Sequence, residues 1–181
     1  MSRNPLRDRR GMSAVEFALI APVLLLLLGC VADMGMALRA RFNLSSALAA
    51  ASSYTLNNAG SVSAANGPAL ATALANLLAS ASAANWANAN VNVNNGPTAA
   101  MNNGAVTTAG SASAADSCYC PGGSKSALVW GAPVACGSAC PSGALAGKFV
   151  LLTASKAFTP LILPAGLIAS PITGSSVVQV Q

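Results

Sequence analysis

Glu16 stands at the head of a run that carries no other charge from Phe17 to Ala32, and no feature constrains this chain more. Taken as a helix, residues 12–38 extend about 40 Å, enough to cross roughly 30 Å of hydrocarbon and protrude beyond it. The run is also too long for the apolar core of a cleaved signal peptide. A carboxylate in such a helix costs about 2 to 3 kcal/mol at the bilayer centre and less toward the interface, so its presence calls for a partner. Pro22 lies inside the run; membrane helices tolerate proline because neighbouring groups satisfy the freed carbonyl, and a mild kink is expected there.

The flanking charges predict an orientation. Arg3, Arg7, Arg9 and Arg10 against Asp8 give the residues before Met12 a net charge of +3, while Arg39 and Arg41 flank the other end of the span. The positive-inside rule then places the N-terminus in the cytoplasm and the rest of the chain in the periplasm or outside. Arg9-Arg10 also fits a twin-arginine export signal, but Glu16 and the lack of a folded-cofactor motif argue against that use. Of the overall +5, only +2 lies beyond Gly11, from Arg39, Arg41, Lys125, Lys148 and Lys156 against Glu16, Asp33 and Asp116. There is no basic stripe with interleaved aromatics, which argues against nucleic acid as a partner.

Glu16 stands at the fifth position after Gly11. If a peptidase cuts after Gly11, the new amine of Met12 lies one helical turn from Glu16, and the two can pair within one subunit or between neighbours. This arrangement resembles the leader of a class III (type IV-like) prepilin. More narrowly, Gly11-Met-Ser-Ala-Val-Glu-Phe-Ala-Leu-Ile-Ala-Pro-Val-Leu-Leu-Leu-Leu-Leu-Gly29 with Asp33-Met-Gly-Met-Ala-Leu-Arg-Ala-Arg-Phe-Asn-Leu44 resembles the TadE-like pseudopilins of the tight-adherence (Tad) pilus and secretion system. The resemblance covers Gly11 to Tyr54, with echoes at Lys148 to Phe158 and Thr159-Pro-Leu-Ile-Leu-Pro164. It implies a processing site at Gly11 and Met12, a prepilin peptidase, the inner membrane, and other Tad pilins, pseudopilins and assembly proteins as partners. The implied role is structural, in pilus biogenesis and cell adhesion.

Four segments follow: a basic leader over 1–11, a transmembrane and amphipathic helix over 12–57, a low-complexity segment with one helix and a strand over 58–117, and a disulfide-stapled β-rich region over 118–181. Leu38, Phe42, Leu48 and Ala51 recur near helical spacing, so the first helix is expected to continue to about Leu56, stopped by Asn57-Asn58 and Gly60. Asn66-Gly67-Pro68 opens a second helix with Leu70, Leu74, Leu77 and Leu78 on one face, ending near Ala84, and Trp86 caps its apolar side. Ala89 to Asn94 alternates as a strand closed by Asn95-Gly96-Pro97. Thr98 to Ala115 reads as loop or weak edge strand. Lys148 to Phe158 and Ser175 to Gln181 are the clearest strands, Leu128-Val-Trp130 a shorter one. The expected fold class is α+β: a long N-terminal transmembrane helix continuing into a small disulfide-stapled head of a second helix and a few antiparallel strands, type IV pilin-like in outline.

Cys30 lies in the membrane run, whereas Cys118, Cys120, Cys136 and Cys140 cluster. Outside the cytoplasm an even set of four is a disulfide pattern, and Cys118 and Cys120 are too close to pair comfortably, so each joins Cys136 or Cys140 with the connectivity open. A four-thiolate zinc site has the right ligand number, but the spacing lacks paired Cys-x-x-Cys knuckles and the compartment is oxidising. No metal or cofactor is expected.

The chain has no histidine, and beyond Glu16 only Asp33 and Asp116 offer carboxylates after the leader. Paired-acid, triad and metal-hydrolase chemistries lack their parts, and no glycine-rich phosphate loop is present. An enzyme acting on a small-molecule substrate is not expected. Two rivals to the pilin-like reading remain. Leu27-Leu28-Gly29-Cys30 resembles a lipobox, which would make the protein a lipoprotein acylated at Cys30; against it, Leu28 suits that position poorly and apolar residues continue to Leu38. An uncleaved single-pass protein presenting a partner-binding head fits most of the same features.

Overall fold

The computed structural model describes residues 12–80, 87–164 and 166–181. Among them, α1 runs from Met12 to Asn57 without interruption at Pro22, and α2 from Gly67 to Ser80. The predicted extension of α2 to Ala84 and the cap by Trp86 lie outside the described residues. Seven strands follow: β1 Asn88–Val93, β2 Thr98–Asn102, β3 Ala105–Ala109, β4 Gly122–Ser124, β5 Ala127–Val129, β6 Phe149–Lys156 and β7 Ile172–Gln179. The result is α+β, a long apolar helix joined to a head with a second helix, antiparallel strands and two disulfides.

The main sheet is antiparallel with order β3-β2-β1-β6-β7. Period-two alternation sends Ala89, Val91 and Val93 of β1, Ala99 and Met101 of β2, and Val150, Leu152 and Ala154 of β6 to one face, all buried. Asn88 and Asn90 point the other way and are exposed. Both helices cover the apolar face, α2 against β1 and β2, α1 against β6 and β7. One hydrophobic cluster therefore holds the head together.

Thr98 to Ala109 differs from the expected loop or weak edge. It is a hairpin, β2 inside the sheet and β3 at its edge. The reason is at its tip: Asn103 and Gly104 both take positive φ, 47° and 83°, the signature of a tight hairpin turn matched to strand twist. The β1–β2 turn uses the same device one residue earlier than expected, with Asn94 and Asn95 at φ 51° and 57° and Gly96 N–H donating to Val93 O at 3.0 Å. The short strand expected at Leu128-Val-Trp130 is present one residue earlier, as β5. It pairs only with β4 in a separate exposed ribbon.

Asn94 is fully buried and ties the sheet to the segment that follows it. Its side-chain amide donates to Ala115 O at 3.0 Å, and its Oδ1 accepts from Phe149 N–H at 3.2 Å. This is how a polar side chain is tolerated in the core: its donors and acceptor are all used.

Along α1 the buried stripe is Asp33, Ala37, Ala40, Leu44, Ala47, Leu48, Ala51 and Thr55, a helical repeat built mostly from small residues. Leu38 and Phe42, expected on that stripe, face outward at 54% and 71% exposure. Small side chains win the inner face because they let the sheet approach. At the closest point Gly174 of β7 lies under Leu48 and Leu44; a Cβ there would stand 2.7 Å from Leu48 Cδ1. One turn on, Ser52 Oγ and Ser176 Oγ are hydrogen-bonded at 3.0 Å. Gly174→Leu is expected to lower the stability of the head by about 1–3 kcal/mol through overpacking, read as a lower denaturant midpoint. An unchanged midpoint would show that the seam is looser than described.

Candidate functional site

The length of α1 divides at Asp33. Below it, residues 14–28 are exposed apart from half-buried Ala21, including Leu24, Leu25, Leu26, Leu27 and Leu28 at 51–65%. Above it the helix carries the buried stripe of the head. A bare apolar rod exposed on all sides is unstable in water and satisfied in lipid, where every backbone group of a helix is paired internally. The helix is long and apolar enough to cross a membrane, as a single-pass protein requires.

Glu16 lies in this rod, exposed, and among the described residues its carboxylate has no hydrogen-bond or ion-pair partner. Gly11, the other half of the expected processing site, lies outside the described residues, and Met12 begins the helix. The structure thus places Glu16 at the rod's lower end, four residues into the helix.

Asp33 is the carboxylate that the structure engages. It is fully buried and accepts three backbone hydrogen bonds, Leu161 N–H to Oδ1 and Ile162 and Leu163 N–H to Oδ2, each at 2.9 Å. The donors come from the connection between β6 and β7, whose described residues 157–164 and 166–171 lie along α1 and reach β7 through Ser170-Pro171. In the sequence Asp33 is a charge, a member of the TadE-like stretch and one of two carboxylates beyond Glu16 after the leader, with nothing to mark it as a clasp. The local hint was an acid closing an apolar run; its partners, far along the chain, left no pattern beside it.

The cysteine cluster forms two bridges, Cys118–Cys136 and Cys120–Cys140. With all four sulfurs paired, no thiolate remains there for zinc. Cys30 stands free on α1. The bridged segment has a small interior of its own, with Tyr119 at 3% exposure and its ring edge-on to Trp130 at 5.7 Å. Its two ends are joined by Tyr119 N–H to Gly147 O at 2.9 Å, and Tyr119 Oη donates to Ala114 O at 3.3 Å just outside it.

The outer face of the sheet holds an open groove lined by Asn88, Asn90, Asn102, Thr153, Ser155 and Ser175 among others. None of its lining side chains is ionisable, so it offers hydrogen bonds but no acid, base or activated nucleophile. The only carboxylate buried in the described head is Asp33, and its oxygens are engaged by three backbone donors. The arrangement suits anchoring and docking.

The family described as TadE-like protein matches residues 11–53, the stretch holding the Gly11–Met12 junction, Glu16, Asp33 and nearly all of α1. No match was found among curated proteins or solved structures.

Proposed function

We propose that this chain, TadE-like from the leader junction through the long helix, is a pseudopilin-like membrane component of a Tad-type pilus assembly or secretion system. It acts structurally in pilus biogenesis and adhesion. The chain inserts with its N-terminus in the cytoplasm of the inner membrane and its head outside, and a prepilin peptidase removes the leader after Gly11. Its partners are other Tad pilins or pseudopilins and the assembly proteins, and it catalyses no reaction of its own. The oxidised bridges of the head favour an extracytoplasmic head.

One observation carries this reading: a lone carboxylate, Glu16, without a partner among the described residues, near the start of a helix built for lipid. Before cleavage the nitrogen of Met12 is an uncharged amide. After cleavage it is a cation about 6 Å along the helix axis from Glu16, free to neutralise that acid in the same subunit or a neighbour. Register between subunits then follows from charge, because a matched pair in lipid is tolerated and an unmatched acid is penalised.

An intact mass of the membrane-extracted native protein tests it. The expected mass is that of a chain beginning at Met12, and Gly11→Leu is expected to retain the whole leader. Glu16→Leu is expected to be cut normally yet to fail in assembly; full assembly by that variant would refute the charge pair. A mass corresponding to a lipid-modified chain beginning at Cys30, or to the uncut chain, would replace this reading by one of its rivals.

A further inference from the structure

We infer that the stretch Pro160 to Pro164 is a second membrane contact, entering the outer boundary of the bilayer beside α1 with Asp33 as the clasp that makes this possible. The inference rests on the reading of α1 as a membrane span.

The loop carries apolar side chains where a water-facing connection has no use for them. Leu161 is 78% exposed, Ile162 47% and Leu167 69%. Ile162 lies beside the lipid-facing part of the helix, on Gly29, so closely that a Cβ on Gly29 would overlap its Cδ1, while Leu167 lies higher, beside Met34, Leu38 and Arg41. Gly29 is about one turn below Asp33 toward the cytoplasmic end. If the hydrocarbon begins near Met12, its roughly 30 Å ends about at Asp33, which puts Ile162 about 6 Å inside it. Leu161 and Ile162 with the exposed leucines of α1 then form one apolar band, to which the lipid already contacting the helix is the fitting occupant.

Exposed irregular backbone is normally barred from hydrocarbon because its polar groups have no partners. Here the donors of Pro160-Leu161-Ile162-Leu163-Pro164 are accounted for. The two prolines have no N–H, and the three amides between them all donate to Asp33. Leu167 N–H returns to Pro164 O at 3.3 Å. The carboxylate in turn is compensated by its three donors. Five consecutive residues therefore present apolar side chains and no unpaired donor, and the Pro164 carbonyl is paired with Leu167 N–H. The donor side of the requirement for contact with lipid is met, while the remaining carbonyls can turn toward the headgroup water at the bilayer boundary.

The test uses the full chain with Cys30→Ala, reconstituted in vesicles of phosphatidylcholine and phosphatidylglycerol, with an environment-sensitive fluorophore on one introduced cysteine at a time. Leu161→Cys reports the loop, Leu26→Cys the middle of the span, and Leu145→Cys, exposed in the head, the aqueous control. The expected result is a blue-shifted emission at position 161, quenched by nitroxides on the lipid acyl chains as at position 26, with position 145 unshifted and unquenched. Water-like emission at 161 beside lipid-like emission at 26 would overturn the inference and leave the span intact. A blue shift at 161 without quenching by lipid nitroxides would overturn it too, showing a protein, such as a second copy, on the patch. Water-like emission at 26 would instead remove the span itself, and this inference with it.

Discussion

Asp33→Asn is expected to release Leu161 to Leu163 from α1 while leaving the sheet and the rest of the helix in place. The native carboxylate presents two acceptor oxygens to three donors. Asparagine keeps the size but only one acceptor, and its amide group would turn N–H donors toward the N–H of Ile162 and Leu163 or of Leu161. A buried donor without an acceptor is costly, and here at least one is created. The two ends of the connection between β6 and β7 are held independently, by Phe158 and Ile168 packed against the main hydrophobic cluster and by Phe158 N–H to Ser170 Oγ at 3.3 Å, whereas Leu161 to Leu163 have besides Asp33 the contact of Ile162 with Gly29. Hydrogen exchange of the reconstituted protein reads the result directly. The amides of Leu161, Ile162 and Leu163 are expected to pass from slow exchange to the rate of an open loop, while those of β1 and β6 hold their protection. Unchanged protection at the three amides would mean that the clasp is incidental to the loop's position.

Loss of both disulfides is expected to unfold the segment 117–147 and spare the five-stranded sheet. The bridges close loops with sequence separations of 18 and 20, each worth about 3 kcal/mol in the chain-entropy model. Because the two loops overlap, the second adds less than the first, and the pair together contributes roughly 4 kcal/mol. The segment needs that contribution. Its buried side chains, Cys118, Tyr119, Cys140 and Ala146, do not join the main hydrophobic cluster, and much of the remainder is exposed glycine, serine and alanine. Limited proteolysis of a variant with all four cysteines changed to alanine is expected to cut within 117–147 and leave a resistant fragment containing β6 and β7. Proteolysis indistinguishable from the oxidised protein would show that the segment stands on its side chains alone.

The errors in reading the chain share a cause. The hairpin from Thr98 to Ala109 is written largely in alanine, threonine and asparagine, which alternate weakly, so the pattern fits a loop or a weak edge strand, and only β3 is at the edge; the stronger sign is the dipeptide Asn103-Gly104, whose turn conformation requires positive φ at both residues. On α1, the large residues Leu38 and Phe42 drew the apolar face to themselves, yet the packed stripe is alanine-rich. Close helix-to-sheet contact selects small side chains, and a pattern weighted by hydrophobicity overlooks them. Asp33 looked like an ordinary helix acid because its three donors lie more than 120 residues away along the chain.

What residue order alone determined is what adds up residue by residue. A run such as Phe17 to Ala32 prefers lipid because transfer free energies sum over side chains whatever surrounds them, and the turns and strand alternation follow from backbone preferences a few residues wide. Only the tertiary structure decided which side of α1 faces the sheet, which cysteine meets which, and that Asp33 holds a distant loop against the helix. Those outcomes depend on which groups become neighbours in space, and the energy of a hydrogen bond or a close contact exists only once both partners are in place.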